Sequence, residues 1–339
     1  MPEKINDLNN KTIVISRTDS IGDVILTLPL CAWIKDKYPS STLIFLGKKY
    51  TGPILACFDV IDKVVFWDEI EDQPEQGIVA AIKSLNADVF IHVFPNKKIA
   101  KLVKKARIPI RVGTSHRTYH LLNCNVRPSF TRKKSDLHES QLNFKLLSNF
   151  GMNKIPTLEE IYNCVSSFET KTDLPVELNE LLKTDRQKII LHPKSQGSAV
   201  EWPIEKYIEL ANTLAKQNAR VYFSGTESEG EKFREFLPDH DEIIDISGRM
   251  NLDEFIAFID KADTLIACST GPLHIAAVLN KKAIGLYTKI RPMHPGRWKP
   301  IGNNAETITA SDEYSSPEEE IKSIEINEVI KKLELVKSK

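Results

Sequence analysis

The sequence predicts an α/β protein built from two units, each a doubly wound parallel sheet. Three observations carry that prediction. Runs rich in β-branched residues alternate with helix-like runs, and the alternation occurs once in each half of the chain. The length, 339 residues, suits two ordinary domains with separate cores. Several strand-like runs end in short polar turns, the position at which open parallel sheets bind ligands.

In the first half the strand-like runs are Thr12–Arg17, Thr42–Leu46, Lys63–Trp67, Asp88–Val93 and Ile110–Gly113. Helical stretches such as Val24–Lys37 and Gly77–Leu85 separate them. Pro29 interrupts the first helix, and an interior proline costs about 3 kcal/mol unless the helix bends or breaks. A kink is therefore expected there. In the second half the strands are Lys188–His192, Arg220–Ser224, Glu242–Ile246, Thr264–Cys268 and Ala283–Tyr287. The helices are Ile204–Gln217, Glu229–Phe236, Leu252–Lys261 and Leu273–Leu279. The chain turns polar between Tyr162 and Lys188, which sets a first unit over 1–165 and a second over 166–315. A C-terminal helical segment, 316–339, shows its period through Ile321, Ile324, Ile326, Val329, Ile330 and Leu333.

Composition narrows the class. No apolar run approaches the roughly 20 residues of a membrane-spanning helix. The stretch Met1 to Lys11 is polar and lacks an apolar signal region, so a cytoplasmic protein is expected. The five cysteines are odd in number and scattered, without a Cys-x-x-Cys pair, which argues against a disulfide framework or a zinc site. Net charge is zero, yet Lys97 to Lys134 holds twelve Lys or Arg and no Asp or Glu. Such a run suits an anionic partner (a phosphorylated lipid, a phosphosugar or a nucleic acid), or is simply a solvated face. Only Tyr119 and Phe130 offer stacking rings there, which speaks against nucleic acid.

Four strand-end motifs are candidates for chemistry. Arg17-Thr18-Asp19-Ser20-Ile21-Gly22-Asp23-Val24 joins the first strand to the first helix. Asp23 stands there either as a general base or as an ordinary helix-start charge. Ser269-Thr270-Gly271-Pro272-Leu273-His274 follows a strand and opens a helix. Gly271 allows close backbone approach, Pro272 suits a first-turn position, and the free amides with the helix dipole favour an anion such as a diphosphate. The alternative is a plain capped helix. His192-Pro193-Lys194-Ser195, followed by Glu201-Trp202-Pro203, is a phosphate-holding loop or a surface βα loop. Ser224-Gly225-Thr226-Glu227 places a carboxylate where dinucleotide folds hold a ribose, or where a helix start favours negative charge.

Other familiar signals are missing. No Gly-x-Gly-x-x-Gly follows the first strand, and there is no Walker loop. Asp239-His240-Asp241 precedes a strand instead of closing one and reads as a surface turn. His92 and His192 lack metal-ligand spacing. No cofactor and no metal are expected.

Together the four sites resemble glycosyltransferase family 9, the ADP-heptose:lipopolysaccharide heptosyltransferases, over essentially the whole chain. The resemblance rests on Arg17-x-Asp19-x-Ile21-Gly22-Asp23-Val24 with Thr27 and Pro29, and on Thr270-Gly271-Pro272-Leu273-His274-Ile275-Ala276-Ala277. His138-Glu139, His192-Pro193, Trp202-Pro203 and Glu227 fall in order between them. It implies the GT-B fold: two Rossmann-like domains facing across a cleft, with a C-terminal helix packing back on the first. It implies inverting, metal-independent transfer of heptose or a similar sugar from a nucleotide diphosphate donor, ADP-heptose foremost. The implied acceptor is a phosphorylated, lipid-linked saccharide of the lipopolysaccharide core, with peripheral contact to the inner membrane.

By the same resemblance Asp23 is the general base. Arg17, Asp19, Ser20, Gly22, Lys97, Lys98, Arg111 and His138 fall on the acceptor side. Lys194, Ser195, Glu227, Ser269, Thr270, Gly271, Pro272 and His274 fall on the donor side. Two departures stand out. The cation that many members carry before Trp-Pro is missing from Ala199-Val200-Glu201-Trp202, leaving Lys194 as its substitute. The Asp that many carry before Thr-Gly is Ser269. Those departures leave a catalytically silent nucleotide-sugar-binding protein, or a sugar-nucleotide epimerase, as the alternatives.

Overall fold

The structure is a computed structural model that describes residues 7–133, 135–312 and 314–333. Three sequence readings run past those bounds: residues 1–6 of the polar N-terminus, Lys134 of the basic run, and 334–339 of the tail segment lie outside the described residues. The chain forms two compact units, Met1–Phe168 and Glu169–Lys339.

In the first unit β1 (Thr12–Ser16), β2 (Thr42–Gly47), β3 (Lys63–Phe66), β4 (Val89–His92) and β5 (Ile110–Val112) form one parallel sheet. Its order is β3-β2-β1-β4-β5. The inner strands are buried on both faces, so they read as continuous apolar runs without alternation. On one face Val14, Ile44, Leu46 and Phe90 pack on Ile78, Ile82, Ile99, Leu102 and Val103. Strand order reverses between β1 and β4, so the carboxyl ends of these two strands flank the crevice where this architecture binds ligands.

The first helix divides into Ile21–Ile25 and Leu28–Lys37. Pro29 then occupies the first turn of the second piece, where its missing N–H costs nothing. The expected kink is thus a full break. The break also frees the carbonyl of Leu26, which accepts from Ser140 Oγ (2.9 Å) and Asn143 Nδ2 (3.1 Å).

The second unit holds β6 (Gln187–His192), β7 (Ala219–Phe223), β8 (Ile243–Asp245), β9 (Thr264–Cys268), β10 (Lys282–Tyr287) and β11 (Ala305–Thr309). All are parallel, in the order β11-β10-β9-β6-β7-β8, with the reversal between β6 and β9. Strand β11 was not foreseen, because an edge strand reading Ala-Glu-Thr-Ile-Thr carries little apolar signal. The helix expected over Glu229–Phe236 is a single turn, Glu227–Gly230, and a 3-10 turn, Arg234–Phe236.

The tail is helical, as its period predicts. It forms two helices, Pro317–Ser323 and Ile326–Lys332, and both belong to the second unit. Ile321, Ile324, Val329 and Leu333 enter the core that contains Trp202, Tyr207 and Leu210, so the period seen in the sequence has a partner here. Polar contacts fix the register. Trp202 Nε1 and Lys206 Nζ both donate to Ile324 O, at 3.0 and 2.9 Å. Glu320 is buried and accepts from the Thr288 hydroxyl and from Lys289 N (2.8 Å), tying the tail to the loop after β10.

Candidate active site

At the first switch point, β1 ends in Ser16 and the chain delivers Arg17 into a buried position. Its guanidinium meets three carboxylates. Nε donates to Asp19 Oδ1 at 2.7 Å, Nη1 to Glu139 Oε1 at 3.2 Å, and Nη2 to Asp23 Oδ1. Asp23 sits in the first turn of the helix Ile21–Ile25, where the helix dipole favours its charge. Its second oxygen accepts from Ser20 Oγ at 2.6 Å. Its side chain keeps 16% exposure, enough to meet a ligand from the crevice side.

A second guanidinium completes the cluster. Arg132 Nε donates to Glu139 Oε1 (2.8 Å), and its Nη2 donates to Val93 O (3.1 Å) and Asn143 Oδ1 (3.0 Å). Arg132 thereby ties the end of β4 to the helix Glu139–Phe144. Burial alone would pull Arg17 down, but Asp23, Asp19 and Glu139 outweigh it and hold its guanidinium firmly charged. Burial pushes the Asp19 carboxyl up to about 6, against the pull of Arg17 and with help from the Asp23 charge. Tyr50 closes the turn, its hydroxyl donating to Asp19 O at 2.5 Å.

The remaining residues expected on the acceptor side are placed differently. Gly22 is buried inside the turn. Lys97 is exposed at the start of the helix Lys97–Lys105, just beyond β4. Lys98 turns away to Glu71 O and lies 5.7 Å over the Trp67 ring. Arg111 spends its donors on the carbonyls of Asn123 (2.8 Å) and Ile108, which makes it a loop clasp. His138 is buried as the N-cap of Glu139–Phe144, accepting from Ser140 N at 3.3 Å. Lys98, Arg111 and His138 thus make contacts within the first unit, and His138 caps the helix that presents Glu139.

In the second unit the expected donor residues gather along one edge, at the carboxyl ends of the adjacent strands β7, β6 and β9. Thr270 is the N-cap of the helix Gly271–Val278, yet its side chain caps nothing. Its hydroxyl is buried and has no hydrogen-bond partner among the described residues. A helix start with free amides and an orphaned hydroxyl is suited to an anionic ligand. Ser269 lies beside Tyr287, within hydrogen-bond reach of its phenol, which also donates to Trp298 O at 2.8 Å. Pro272 and His274 occupy the first turn, His274 buried.

Lys194 is not the free cation the sequence suggested. It pairs with Glu201 at 3.0 Å. The other oxygen of Glu201 accepts from Ser195 N (2.8 Å) and Ser195 Oγ (3.0 Å), closing the loop after β6 into a clasp. Burial opposes the charge of Glu201, but Lys194 and Ser195 outweigh it and hold its carboxyl below the usual range. Glu227, at the start of its helical turn, is held low by a two-point pair with Arg234, at 2.8 and 3.0 Å. His192 is buried, with Nδ1 3.0 Å from Ser224 Oγ, and burial lowers its ring to about 4 despite Glu229 and Glu201.

Reading the sequence by local motif therefore missed Glu139, Arg132, Tyr50 and Glu201 as members of these clusters. Glu139 was visible beside His138, and Arg132 within the basic run. Neither offers a local signal for its partner, because the Arg17–Glu139 pair spans 122 positions.

The sequence profile of glycosyltransferase family 9 (heptosyltransferase) matches residues 78–327. A lipopolysaccharide core heptosyltransferase, OpsX, of Haemophilus influenzae is 23% identical over 327 residues, covering 92% of this chain and 89% of its own. Lipooligosaccharide heptosyltransferase 2 of the same organism is 26% identical over 312 residues, covering 87% and 88%. The structure of the Escherichia coli ADP-heptose lipopolysaccharide heptosyltransferase II superposes with a TM-score of 0.74 at 17% identity, over 95% of this chain and 97% of the other, and shares the GT-B architecture of two Rossmann-like units. The chain belongs to glycosyltransferase family 9 and is a glycosyltransferase.

Proposed function

We propose that this enzyme transfers a heptose from ADP-heptose to a phosphorylated, lipid-linked saccharide of the lipopolysaccharide core, with inversion and without a metal, at the membrane surface where such an acceptor resides. The observation that carries the reading is Asp23, a part-exposed carboxylate at the first switch point, oriented by Arg17 and Ser20. The heptosyltransferase relatives supply the sugar and the acceptor class. The donor nucleotide comes from the enzyme whose structure this chain resembles.

In the reaction the acceptor oxygen attacks the anomeric carbon from the face opposite the diphosphate. The new glycosidic bond forms as the carbon–oxygen bond to ADP breaks, and the acceptor proton passes to Asp23. Asp23 takes this proton late in the displacement. It suffices because the acceptor hydroxyl acidifies as its bond to the sugar develops. Asp23 thus acts by position, with Arg17 fixing its rotamer. The departing diphosphate gathers charge at the second unit, where the amides of the helix Gly271–Val278 and the Thr270 hydroxyl receive it. Lys194, shared with Glu201, contributes only a partly neutralised cation.

Calorimetric titration with ADP, UDP, GDP and CMP tests the donor assignment. Selective ADP binding is expected. Preference for another nucleotide would move the donor within the same reaction class. Absence of all binding would count against the donor assignment.

A further inference from the structure

The helix Thr118–Asn123 follows edge strand β5 and has one committed face. His120 is fully buried against Gly113, where an added Cβ would lie 2.6 Å from the imidazole. The next two residues therefore point outward: Leu121 is 50% exposed and Leu122 73%. Single exposed leucines are ordinary. These two are adjacent, and cations surround them. Arg127 Nη1 donates to Leu121 O and Lys104 Nζ to Leu122 O, each at 2.7 Å. Exposed Arg117 immediately precedes the helix. The whole run from Lys97 to Lys134 contains no carboxylate. Glu75, which reaches the neighbouring helix from outside the run, is taken up by Lys101 and Lys105.

We propose that Leu121 and Leu122, with Lys104, Arg117 and Arg127, form a docking surface for an anionic phospholipid bilayer. The leucines enter the acyl boundary and the three cations remain among the headgroup phosphates, the division of labour that interfacial helices use. Charge complementarity selects this occupant. Protein interfaces are depleted in lysine, and a nucleic acid would need stacking rings beside the cations. Net charge on the chain is zero, so attraction to an anionic membrane has to come from such a local patch. The surface stands on these residues alone; it would supply the membrane contact of the reaction proposed above.

Co-sedimentation of the full chain with phosphatidylglycerol-rich vesicles and with pure phosphatidylcholine vesicles provides the test. Binding is expected to be about ten-fold stronger on the anionic vesicles. Replacing both leucines (Leu121→Ser with Leu122→Ser) should weaken it about ten-fold, and Arg117→Gln about five-fold. The substituted side chains are exposed, and an unchanged thermal unfolding curve verifies the fold of each variant. Equal partitioning of the wild type and both variants would overturn the proposal, as would absence of anionic preference or displacement by free glycerol phosphate. Transfer to a water-soluble acceptor, measured alongside, should not change in either variant. Loss of that transfer in them would make the patch part of the acceptor site and would also overturn the proposal. A wild type that binds vesicles but transfers no sugar counts against the proposed reaction and leaves the docking surface standing.

Discussion

Among the described residues, two guanidiniums, Arg17 and Arg132, face three carboxylates, Asp19, Asp23 and Glu139. Asp19 is the member that burial pushes up to about 6. As pH falls through that value Asp19 gains a proton and its ion pair with Arg17 weakens, which loosens the guanidinium that orients Asp23. We therefore predict that kcat for transfer falls as pH drops through about 6. Asp19→Asn mimics the protonated state: it should lower kcat about three- to ten-fold at alkaline pH and flatten the acid limb. A pH–rate profile whose acid limb is identical in the variant would remove Asp19 from this role. Thr270 carries a second residue-scale prediction. Its hydroxyl has no partner among the described residues, so Thr270→Val should leave stability unchanged or raised while ADP affinity falls about five-fold. Calorimetry and thermal unfolding on the same variant separate the two effects. At this scale the motif residues Arg17, Asp23 and Thr270 were legible in the sequence. Glu139 and Glu201 were not read as site residues, because their contacts are made by the fold and leave no spacing to find.

At the scale of elements, the strand runs were legible because strands buried on both faces are apolar throughout, and Pro29 marked the helix break. The helix Lys97–Lys105 was visible only as charge. Its apolar positions Ile99, Leu102 and Val103 are diluted by five lysines, and its partners Glu71 and Glu75 lie well upstream. Strand β4 ends in His92, which is buried between Phe90 and His120 and, among the described residues, has no partner at either ring nitrogen. Burial, with His120 and Arg111, lowers its ring to about 3. Between that value and the usual 6.5 the unfolded chain binds a proton that the folded chain refuses, so stability declines as pH falls below about 6.5. Burial of His192 acts in the same direction. Lowering the pH to about 5 should cost about 2 kcal/mol from His92 alone, and His92→Phe should remove that share. Urea unfolding at the two pH values checks it; an identical pH slope in wild type and variant would contradict the assignment.

For the whole molecule, the two switch points are the organising feature: each sheet reverses its order once, and each reversal carries one of the two strongest motifs. That much was readable from alternation and motif position. The destination of the tail was not, because helical periodicity states that an apolar face exists without saying what covers it. Ile324 is fully buried in the second core, and its carbonyl receives Trp202 and Lys206. Ile324→Ala should therefore cost about 2–5 kcal/mol of second-unit stability, read as a lowered unfolding midpoint. A midpoint equal to the wild type would mean that the tail does not belong to that core.

In the proposed reaction sugar transfer depends on the Asp23 carboxylate while donor binding does not. The direct measurement is steady-state transfer from ADP-heptose by the wild type and by Asp23→Asn, with ADP affinity measured by calorimetry on both. A loss of kcat of at least about 100-fold is expected in the variant, with ADP affinity within about two-fold of the wild type. Transfer at an undiminished rate by Asp23→Asn would contradict it.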